Sequence, residues 1–276
     1  MSIRRLVLAV VVLGFFASSA HAVVLTDTYT IQELVDDHGG ILDVAGRQFC
    51  FDENSVTTVV GGAAAGPDAP NIAVTGVAVM NMQTQEMEVG LRFNAGWSAI
   101  NGGSVDTTIR FKAIANEGNT WTDNSMWLSA FGVTNDGLVQ ITENVWADDP
   151  SEWTAPRNIG NKQVYYLNDE EKKIYDHINF DVYGQQPPIE EGEPLTIWIT
   201  KDIHVVAAPI DLYDGQLPNF DAIYGLDGIG LLPPSNVAGL SEFYQTFSQT
   251  VPFPEPATMG LMALGGAVLL RRRRRK

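Results

Sequence analysis

The amino-acid sequence predicts an all-β domain, an antiparallel two-sheet sandwich of the jelly-roll or immunoglobulin-like type. Segments that alternate apolar and polar side chains with a period of two recur along the chain, as in half-buried strands. Turn residues separate them, including Asn101-Gly102-Gly103. No long helical pattern lies between these segments, which argues against a parallel sheet with crossover helices.

The chain begins with the three parts of a secretory signal peptide. Two arginines open it, residues 6–16 are apolar, and Ala20 and Ala22 form a small-x-small cleavage site. The apolar stretch makes about 16 Å of helix, which is too short to cross roughly 30 Å of hydrocarbon. Signal peptidase is therefore expected to remove this signal helix, so that the mature chain starts at Val23.

One short helix and a series of strands are predicted after the leader. Thr30 and Glu33 match the two ends of a capping box, and Gly39 and Gly40 end the helix that they start. About nine to eleven strands follow. The clearest strand segments are 72–80, 91–93, 109–113, 139–145, 178–182, 195–199 and 243–247.

Charge is divided sharply along the chain. The two termini hold eight of the 17 basic residues and no acidic residue, so residues 23–256 carry all 33 acidic and nine basic residues, a net charge of −24. Nucleic-acid binding depends on Lys and Arg at phosphates, so this acidity argues against a nucleic-acid partner. It favours solubility outside the cell and leaves carboxylates available for calcium.

The single cysteine, Cys50, lies between Phe49 and Phe51. One cysteine forms no internal disulfide, so an exported domain must be stabilised by its core or by metal ions. We interpret Cys50 as a small buried apolar residue. The alternatives are an intermolecular bridge or a reactive thiol.

The C-terminal segment combines prolines, a short apolar run and a basic tail. Residues 257–270 carry no charge and would make about 21 Å of helix, again too short for a comfortable span. Pro252, Pro254 and Pro256 would leave backbone acceptors unpaired in lipid. Five arginines and a lysine follow, and they stay on the cytoplasmic side. The chain is therefore expected to insert into the membrane transiently.

The order of Pro254-Glu255-Pro256, apolar helix and arginine cluster resembles the PEP-CTERM sorting signal. The resemblance implies an exported protein of a Gram-negative bacterium that makes extracellular polysaccharide. It also implies that exosortase, a membrane protease, recognises Pro254, Glu255 and Pro256 and removes the helix and tail. Phe253 interrupts the usual Val-Pro-Glu-Pro form. The alternative is a permanent single-pass anchor.

Other segments resemble a recurring ectodomain of PEP-CTERM proteins; they are residues 90–113, 138–146, 196–207 and 242–256. This resemblance implies a β-sandwich surface protein, without implying an activity or any functional residue. The predicted organisation is a signal peptide at 1–22, a β-sandwich ectodomain at 23–250 and a sorting signal with a hydrophobic helix at 251–276.

Residues suited to metal binding or catalysis are sparse in the sequence. The histidines have no zinc-site spacing, and no EF-hand loop is complete. The remaining metal hypothesis is calcium at loop carboxylates, namely Asp148, Asp149, Asp211 and Asp214. The alternative is a solvated acidic rim. No nucleophile elbow is complete either, so we assign no catalytic residue.

Tryptophans within or beside polar segments predict a carbohydrate-binding surface; they are Trp121, Trp127, Trp146 and Trp153. Exposed indole rings stack on the apolar faces of sugars, while Asn and Asp side chains bind the hydroxyls. The alternative is that these rings anchor the core or the loops, since tryptophan is highly buried on average.

The sequence therefore predicts a non-enzymatic, exosortase-processed protein of the cell surface or extracellular matrix that associates with extracellular polysaccharide. Two alternatives stay open. One is a secreted glycoside hydrolase or another polysaccharide-acting enzyme, since 33 acidic residues offer many carboxylate pairs. The other is a permanently anchored structural or adhesive module, which would have an exposed, unpaired edge strand.

Overall fold

Two antiparallel sheets face each other in the structure, a computed structural model that describes residues 22–80, 87–116, 119–134, 136–151, 156–167, 171–180, 196–209 and 236–250. The predicted two-sheet sandwich is confirmed. The described residues form 15 strands and one α-helix. The strand count exceeds the sequence prediction because several strands between residues 41 and 65, and one at 172–173, are too short to show a period of two.

The first sheet, here called sheet A, places the last strand of the ectodomain at its centre. With strands numbered in chain order, its order is β1 (Val23–Thr30), β6 (Ala73–Met80), β7 (Met87–Ile100), β15 (Val237–Thr250), β9 (Thr120–Val133) and β13 (Tyr175–Asn179), with β5 (Ala64–Ala65) paired to β7. Strand β15 is bonded to β7 on one side and to β9 on the other. Strand β15 therefore joins the two halves of sheet A, and the predicted sorting segment follows directly after it.

The second sheet, sheet B, is built from the remaining eight strands. Its order is β12 (Lys172–Lys173), β11 (Asn158–Tyr166), β10 (Leu138–Trp146), β14 (Thr196–Val206), β8 (Ser104–Ile114), β3 (Arg47–Cys50) and β2 (Ile41–Val44), with β4 (Val56–Gly61) paired to β8. The central strands β10, β14 and β8 alternate buried and partly exposed residues along most of their length. Each therefore has one face toward the core and one toward the outside.

Helix α1 (Ile31–Asp37) confirms the predicted capping box. The Glu33 amide donates to the Thr30 hydroxyl over 3.1 Å, and the Thr30 amide donates to the Glu33 carboxylate over 2.7 Å. These two bonds satisfy amide groups that the first helical turn leaves unpaired. The helix buries Ile31 and Leu34 against the sandwich.

Aromatic rings fill the space between the sheets. Phe93 and Phe243 stack with centroids 4.8 Å apart, and Phe111 packs 6.0 Å from Phe93 across the sandwich. Phe49 is completely buried, whereas its neighbour Cys50 is a partly exposed free cysteine. Cys50 therefore lies on the outward side of its strand, and the Phe49 ring belongs to the apolar cluster between the sheets.

The predicted signal helix and the predicted sorting helix both lie outside the described residues. Within the described part of the chain, no helix is long and apolar enough to span a membrane. The described chain ends with β15 at Thr250, directly before the predicted sorting signal.

Candidate functional site

A groove crosses the outer face of sheet B and has a volume of about 470 Å³. Its walls are outward-facing side chains of four neighbouring strands. They are Thr57 and Val59 of β4, Asp106 and Thr108 of β8, Gln140 and Thr142 of β10, and Asp202 and His204 of β14. We call this the sheet-B groove; it presents carboxylates, an amide, an imidazole and hydroxyls on one surface.

Strand register brings the polar side chains of the sheet-B groove into rows. Asp202 lies opposite Thr142 on one side and opposite Thr108 on the other, and His204 lies between Gln140 and Asp106 in the same way. The Thr108 hydroxyl donates to the Asp202 carboxylate over 2.9 Å. This bond fixes the direction of the Asp202 carboxylate on the outer face of the sheet.

Two tryptophans lie on the same outer face, beyond one end of the groove. Trp146 and Trp198 are direct partners across β10 and β14, and both are partly exposed. The ammonium of Lys112 lies 5.6 Å from the centre of the Trp198 ring. Four residues along β10 separate Trp146 from Thr142, which is about 13 Å of extended strand. The tryptophans and the groove therefore form one extended surface.

Trp127 lies on the opposite side of the sandwich, on the outer face of sheet A. It is partly exposed and stacks on Tyr244, with ring centroids 5.3 Å apart and planes inclined by 12°. Tyr175 lies 6.3 Å away on the other side of Trp127. These three rings form a second aromatic surface, which has no contact with the sheet-B groove because the core lies between them.

The prediction that Trp121 is an exposed sugar-binding ring is wrong. Trp121 is only 1% exposed and packs 5.2 Å from Phe247 in the core, so its ring is unavailable to a sugar. A β-bulge near Asp123 displaces the alternation of β9 and turns Trp121 inward. Trp153 lies outside the described residues. Of the four predicted rings, Trp127 and Trp146 are partly exposed, and they lie on opposite faces.

The predicted calcium ligands are divided in the same way. Asp149 accepts hydrogen bonds from the amide and hydroxyl of Ser151, and Asp148 accepts one from the Arg157 amide, so both carboxylates shape a turn. Asp211 and Asp214 lie outside the described residues. Among the residues that the structure describes, no three His, Cys, Asp or Glu side chains are grouped to hold a metal ion.

A cluster of polar side chains lies between the two sheets, where the sequence predicts apolar ones. Glu143 of β10 is in register with Lys162 of β11 and with Lys201 of β14, and all three side chains point inward with 0% exposure. Asn124 of β9 and Gln245 of β15 face them from sheet A and are also completely buried. We call these five residues the buried polar centre.

Hydrogen bonds connect every member of the buried polar centre. One carboxylate oxygen of Glu143, Oε1, lies 2.9 Å from Lys162 Nζ and accepts a bond from Asn124 Nδ2 over 2.6 Å. The other oxygen accepts a bond from Lys201 Nζ. The amide oxygen of Asn124 accepts bonds from Lys162 Nζ and, over 3.0 Å, from Gln245 Nε2. Polar groups that would be costly in the core are thereby paired with one another.

Charge in the buried polar centre is not balanced. Among the described residues, Glu143 is the one carboxylate in ion-pair contact with Lys162 or Lys201. Burial alone would raise the pKa of Glu143. The two ammonium groups together outweigh this effect, so the pKa of Glu143 is below its usual value. Burial lowers the pKa of both lysines, that of Lys201 to about 8, and Glu143 offsets this only in part. Both lysines therefore lose their protons at a lower pH than an exposed lysine does.

Sequence reasoning missed both the sheet-B groove and the buried polar centre. Glu143 belongs to the inward phase of β10, with Ile141 and Val145, and Lys201 belongs to the inward phase of β14, between Ile199 and Ile203. A charged residue at a strand position whose neighbours on the same face are apolar could have indicated the buried polar centre. The groove had no such signal, since its side chains come from four strands that meet only in the folded sheet.

Comparison with known proteins identifies the C-terminal segment. Residues 254–275 match the family described as the PEP-CTERM protein-sorting motif. This motif indicates an exported protein that is sorted to the cell surface. The chain carries this motif behind a β-sandwich ectodomain. No curated protein matches the chain.

Two solved structures have a similar β-sandwich. One is described as belonging to the carbohydrate-binding modules of the β-sandwich superfamily; it shares 9% identity at a TM-score of 0.26, covering 72% of this chain and 58% of its own. The other is described as TmCBM61 in complex with β-1,4-galactotriose; it shares 11% identity at a TM-score of 0.20, covering 80% of this chain and 99% of its own.

Proposed function

We propose that the ectodomain is a non-catalytic module that binds the extracellular polysaccharide of a Gram-negative bacterium through the outer face of sheet B. The observation that supports this function best is the joining of the Trp146–Trp198 pair to the sheet-B groove on one surface. A sugar ring stacks on an indole through its C–H face, and its hydroxyls bind carboxylates, amides and hydroxyls. The outer face of sheet B supplies both kinds of group, about 13 Å apart along β10.

The negative charge of the domain directs the choice of polysaccharide. The sheet-B groove contains Asp106 and Asp202, and the ectodomain as a whole is strongly acidic. A neutral or weakly charged glycan fits this surface, because a densely anionic one would be repelled. The positive groups on this face, Lys112 and Arg110, lie toward the tryptophan end.

Affinity electrophoresis through a gel that contains polysaccharide purified from the host strain tests this function. We expect the wild-type chain to be retarded and the double variant Trp146→Ala/Trp198→Ala to bind about tenfold more weakly or worse, the equivalent of about 1.4 kcal/mol. Trp127→Ala is the matched control, since it removes an equivalent ring from the opposite face. An unretarded wild-type chain, or equal loss in the control, would contradict binding at sheet B.

Export and release are proposed to follow the predicted signals. Signal peptidase would cut after Ala22, within the site formed by Ala20 and Ala22, and exosortase would recognise Pro254, Glu255 and Pro256 during transient membrane insertion. The motif match at residues 254–275 and the end of β15 at Thr250 support this order of events. The mature ectodomain would then lie at the cell surface or in the matrix.

Processing is measured by mass spectrometry of the C-terminal peptide from the host. Glu255→Ala should leave residues 257–276 attached, because it removes the charge of the Pro-Glu-Pro element. Phe253→Val is the control, since it changes the one residue that departs from the usual motif and should leave processing intact. A retained C-terminal peptide in the wild-type chain would favour a permanent anchor.

A glycoside hydrolase is the second candidate, and one observation favours it. Asp106 and Asp202 are diagonal neighbours across β8 and β14 in the sheet-B groove. Such neighbours lie roughly 7–8 Å apart, which is within the separation of the two carboxylates in inverting glycosidases. Release of reducing ends from the host polysaccharide, abolished in Asp106→Asn and in Asp202→Asn, would establish hydrolysis in place of simple binding.

A further inference from the structure

The buried polar centre contains the three groups needed to form an amide bond between side chains. Lys162 supplies a primary amine, Asn124 a carboxamide and Glu143 a carboxylate. The amine donates to the amide oxygen of Asn124. The same carboxylate oxygen, Glu143 Oε1, lies 2.9 Å from the amine nitrogen and 2.6 Å from the amide nitrogen. One oxygen is thus placed to receive a proton from the first nitrogen and to deliver it to the second.

Water is excluded from these groups. The side chains of Glu143 and Lys162 are 0% exposed and Asn124 is completely buried, with Phe243 and Met126 packed around the neighbouring Lys201. An amine must be neutral to act as a nucleophile, and burial favours the neutral form. A dry site also excludes water, which would otherwise compete with the amine for Cγ of Asn124.

If the buried polar centre only stabilised the fold, its positive and negative charges should be equal in number, and they are not. Two ammonium groups share one carboxylate, so one buried positive charge has no contacting counter-charge among the described residues. A buried unpaired charge is strongly destabilising. Conversion of the Lys162 amine to an amide removes that charge and leaves Glu143 and Lys201 as a balanced pair.

We propose that the protein forms a covalent isopeptide bond between Lys162 and Asn124 within its own core. The Nζ atom of Lys162 attacks Cγ of Asn124, and a new N–C bond forms as the amide oxygen takes up negative charge. Glu143 Oε1 accepts a proton from Nζ and transfers it to Nδ2. The Cγ–Nδ2 bond then breaks, the carbonyl re-forms, and one molecule of ammonia leaves. The proton that the Lys162 ammonium gives up to become a neutral nucleophile departs with this ammonia as ammonium, so the buried positive charge leaves the centre and no oxidant or co-reactant is needed.

The other two members of the centre assist this step without taking part in the bonding. Gln245 Nε2 donates to the Asn124 amide oxygen over 3.0 Å, so it stabilises the charge that develops there. Lys201 contacts the second oxygen of Glu143 and thereby holds the carboxylate in position. Glu143 is the catalytic residue, and Lys201 is a positioning residue.

The bond would join the two sheets of the sandwich. Asn124 belongs to β9 of sheet A and Lys162 to β11 of sheet B, and 38 positions of sequence separate them. The chain has a single cysteine and so no internal disulfide. An isopeptide bond gives an exported domain the same kind of staple that a disulfide provides, and reducing agents do not break it.

Tryptic digestion of the purified full-length chain tests the bond. An unlinked chain releases residues 113–157 and residues 158–162 as separate peptides. In a linked chain the acylated Lys162 is not cleaved, so residues 113–157 are recovered joined to residues 158–172, with a combined mass lower by one ammonia. Tandem mass spectra should place the junction between Asn124 and Lys162.

Variants separate the chemistry from folding. Lys162→Arg and Glu143→Gln should both yield the unlinked peptides, while Lys173→Arg, which alters an exposed ion pair with Asp176, should stay linked. Circular dichroism reports whether each variant folds. Complete cleavage at Lys162 in the folded wild-type chain would overturn the proposal, as would a junction that lost water instead of ammonia. A folded Glu143→Gln that is still linked would overturn the role of Glu143.

Discussion

Glu143 of sheet B accepts a hydrogen bond from the side-chain amide of Asn124 in sheet A over 2.6 Å, in the middle of an otherwise apolar core. The two residues belong to different sheets, so this contact fixes how the sheets face each other. It also sets the amide beside the amine of Lys162. The stability and the proposed chemistry of the domain thus depend on the same carboxylate.

Removal of Glu143 should strongly destabilise the domain. Glu143→Ala leaves two lysines buried without a partner, and breaking a buried pair in this way costs about 3–5 kcal/mol. Urea unfolding measures the change. Glu242→Ala is the control, because Glu242 lies 3.9 Å from Arg92 in a partly exposed pair and should cost about 1 kcal/mol or less. Equal effects of the two substitutions would refute a special role for the buried carboxylate.

Lys201 should give the unlinked domain an unusual alkaline pH dependence. Burial and the neighbouring charge of Lys162 lower its pKa from 10.5 to about 8, although Glu143 opposes this shift. Between about pH 8 and pH 10.5 the unfolded chain then binds more protons than the folded chain. The free energy of unfolding therefore rises with pH across this window, and it stays level below pH 8.

Asn124→Ala isolates this effect, since it prevents the proposed bond and keeps the Lys162 amine. We expect its free energy of unfolding to rise by about 1–3 kcal/mol from pH 8 to pH 10.5, and that of the double variant Asn124→Ala/Lys201→Met to rise less, because only Lys162 then contributes. The linked wild-type chain should show a smaller rise because its Lys162 carries no charge. Identical pH profiles for the single and double variants would show that Lys201 keeps an ordinary pKa.

The alternation of the sequence predicted which strand residues face inward, because side-chain direction in a strand is a local property. Val139, Ile141 and Val145 are buried, and Gln140 and Thr142 face outward, as their period of two indicates. The capping box of α1 was equally predictable, since both of its hydrogen bonds join residues only three apart. Local chemistry therefore accounts for most of the correctly predicted elements.

The two candidate sites could not be predicted in this way, because they depend on which strands become neighbours. Glu143 meets Lys201 only because β10 pairs with β14, and it meets Asn124 only because sheet B covers sheet A. Trp121 was assigned to the surface because it lies in a polar segment, yet the bulge in β9 turns its ring inward. The composition of both sites is determined by which distant strands pair and in which register, and the sequence pattern does not predict either.

Trp121 and Trp198 should have opposite effects on stability and binding. Trp121→Ala removes a ring that is 1% exposed in the core, so it should lower the free energy of unfolding by about 3–5 kcal/mol. Trp198→Ala removes a partly exposed ring and should cost much less stability while weakening retention by the polysaccharide. Thermal unfolding and affinity electrophoresis on the same samples provide both readouts. A Trp121→Ala chain that unfolds like the wild type would contradict the core assignment.

The turn after α1 provides a matched pair of glycines for separating backbone strain from a steric clash. Gly39 and Gly40 both have positive φ angles, 61° and 77°. A Cβ atom at Gly39 would meet nothing within 4 Å, whereas one at Gly40 would lie 2.1 Å from the carbonyl oxygen of Phe51. Gly39→Ala should therefore cost about 1–2 kcal/mol, the penalty of a left-handed backbone.

Gly40→Ala should cost clearly more stability than Gly39→Ala, because Phe51 cannot easily move away from the new Cβ atom. The amide of Phe51 donates a hydrogen bond to the Gly40 carbonyl over 2.7 Å, which holds Phe51 in place. The substituted chain must break this bond or displace the start of the loop after β3. Urea unfolding of the two variants gives the difference directly. If Gly40→Ala were no worse than Gly39→Ala, the close approach of Gly40 to Phe51 would not exist in solution, and the position of the turn after α1 would need to be revised.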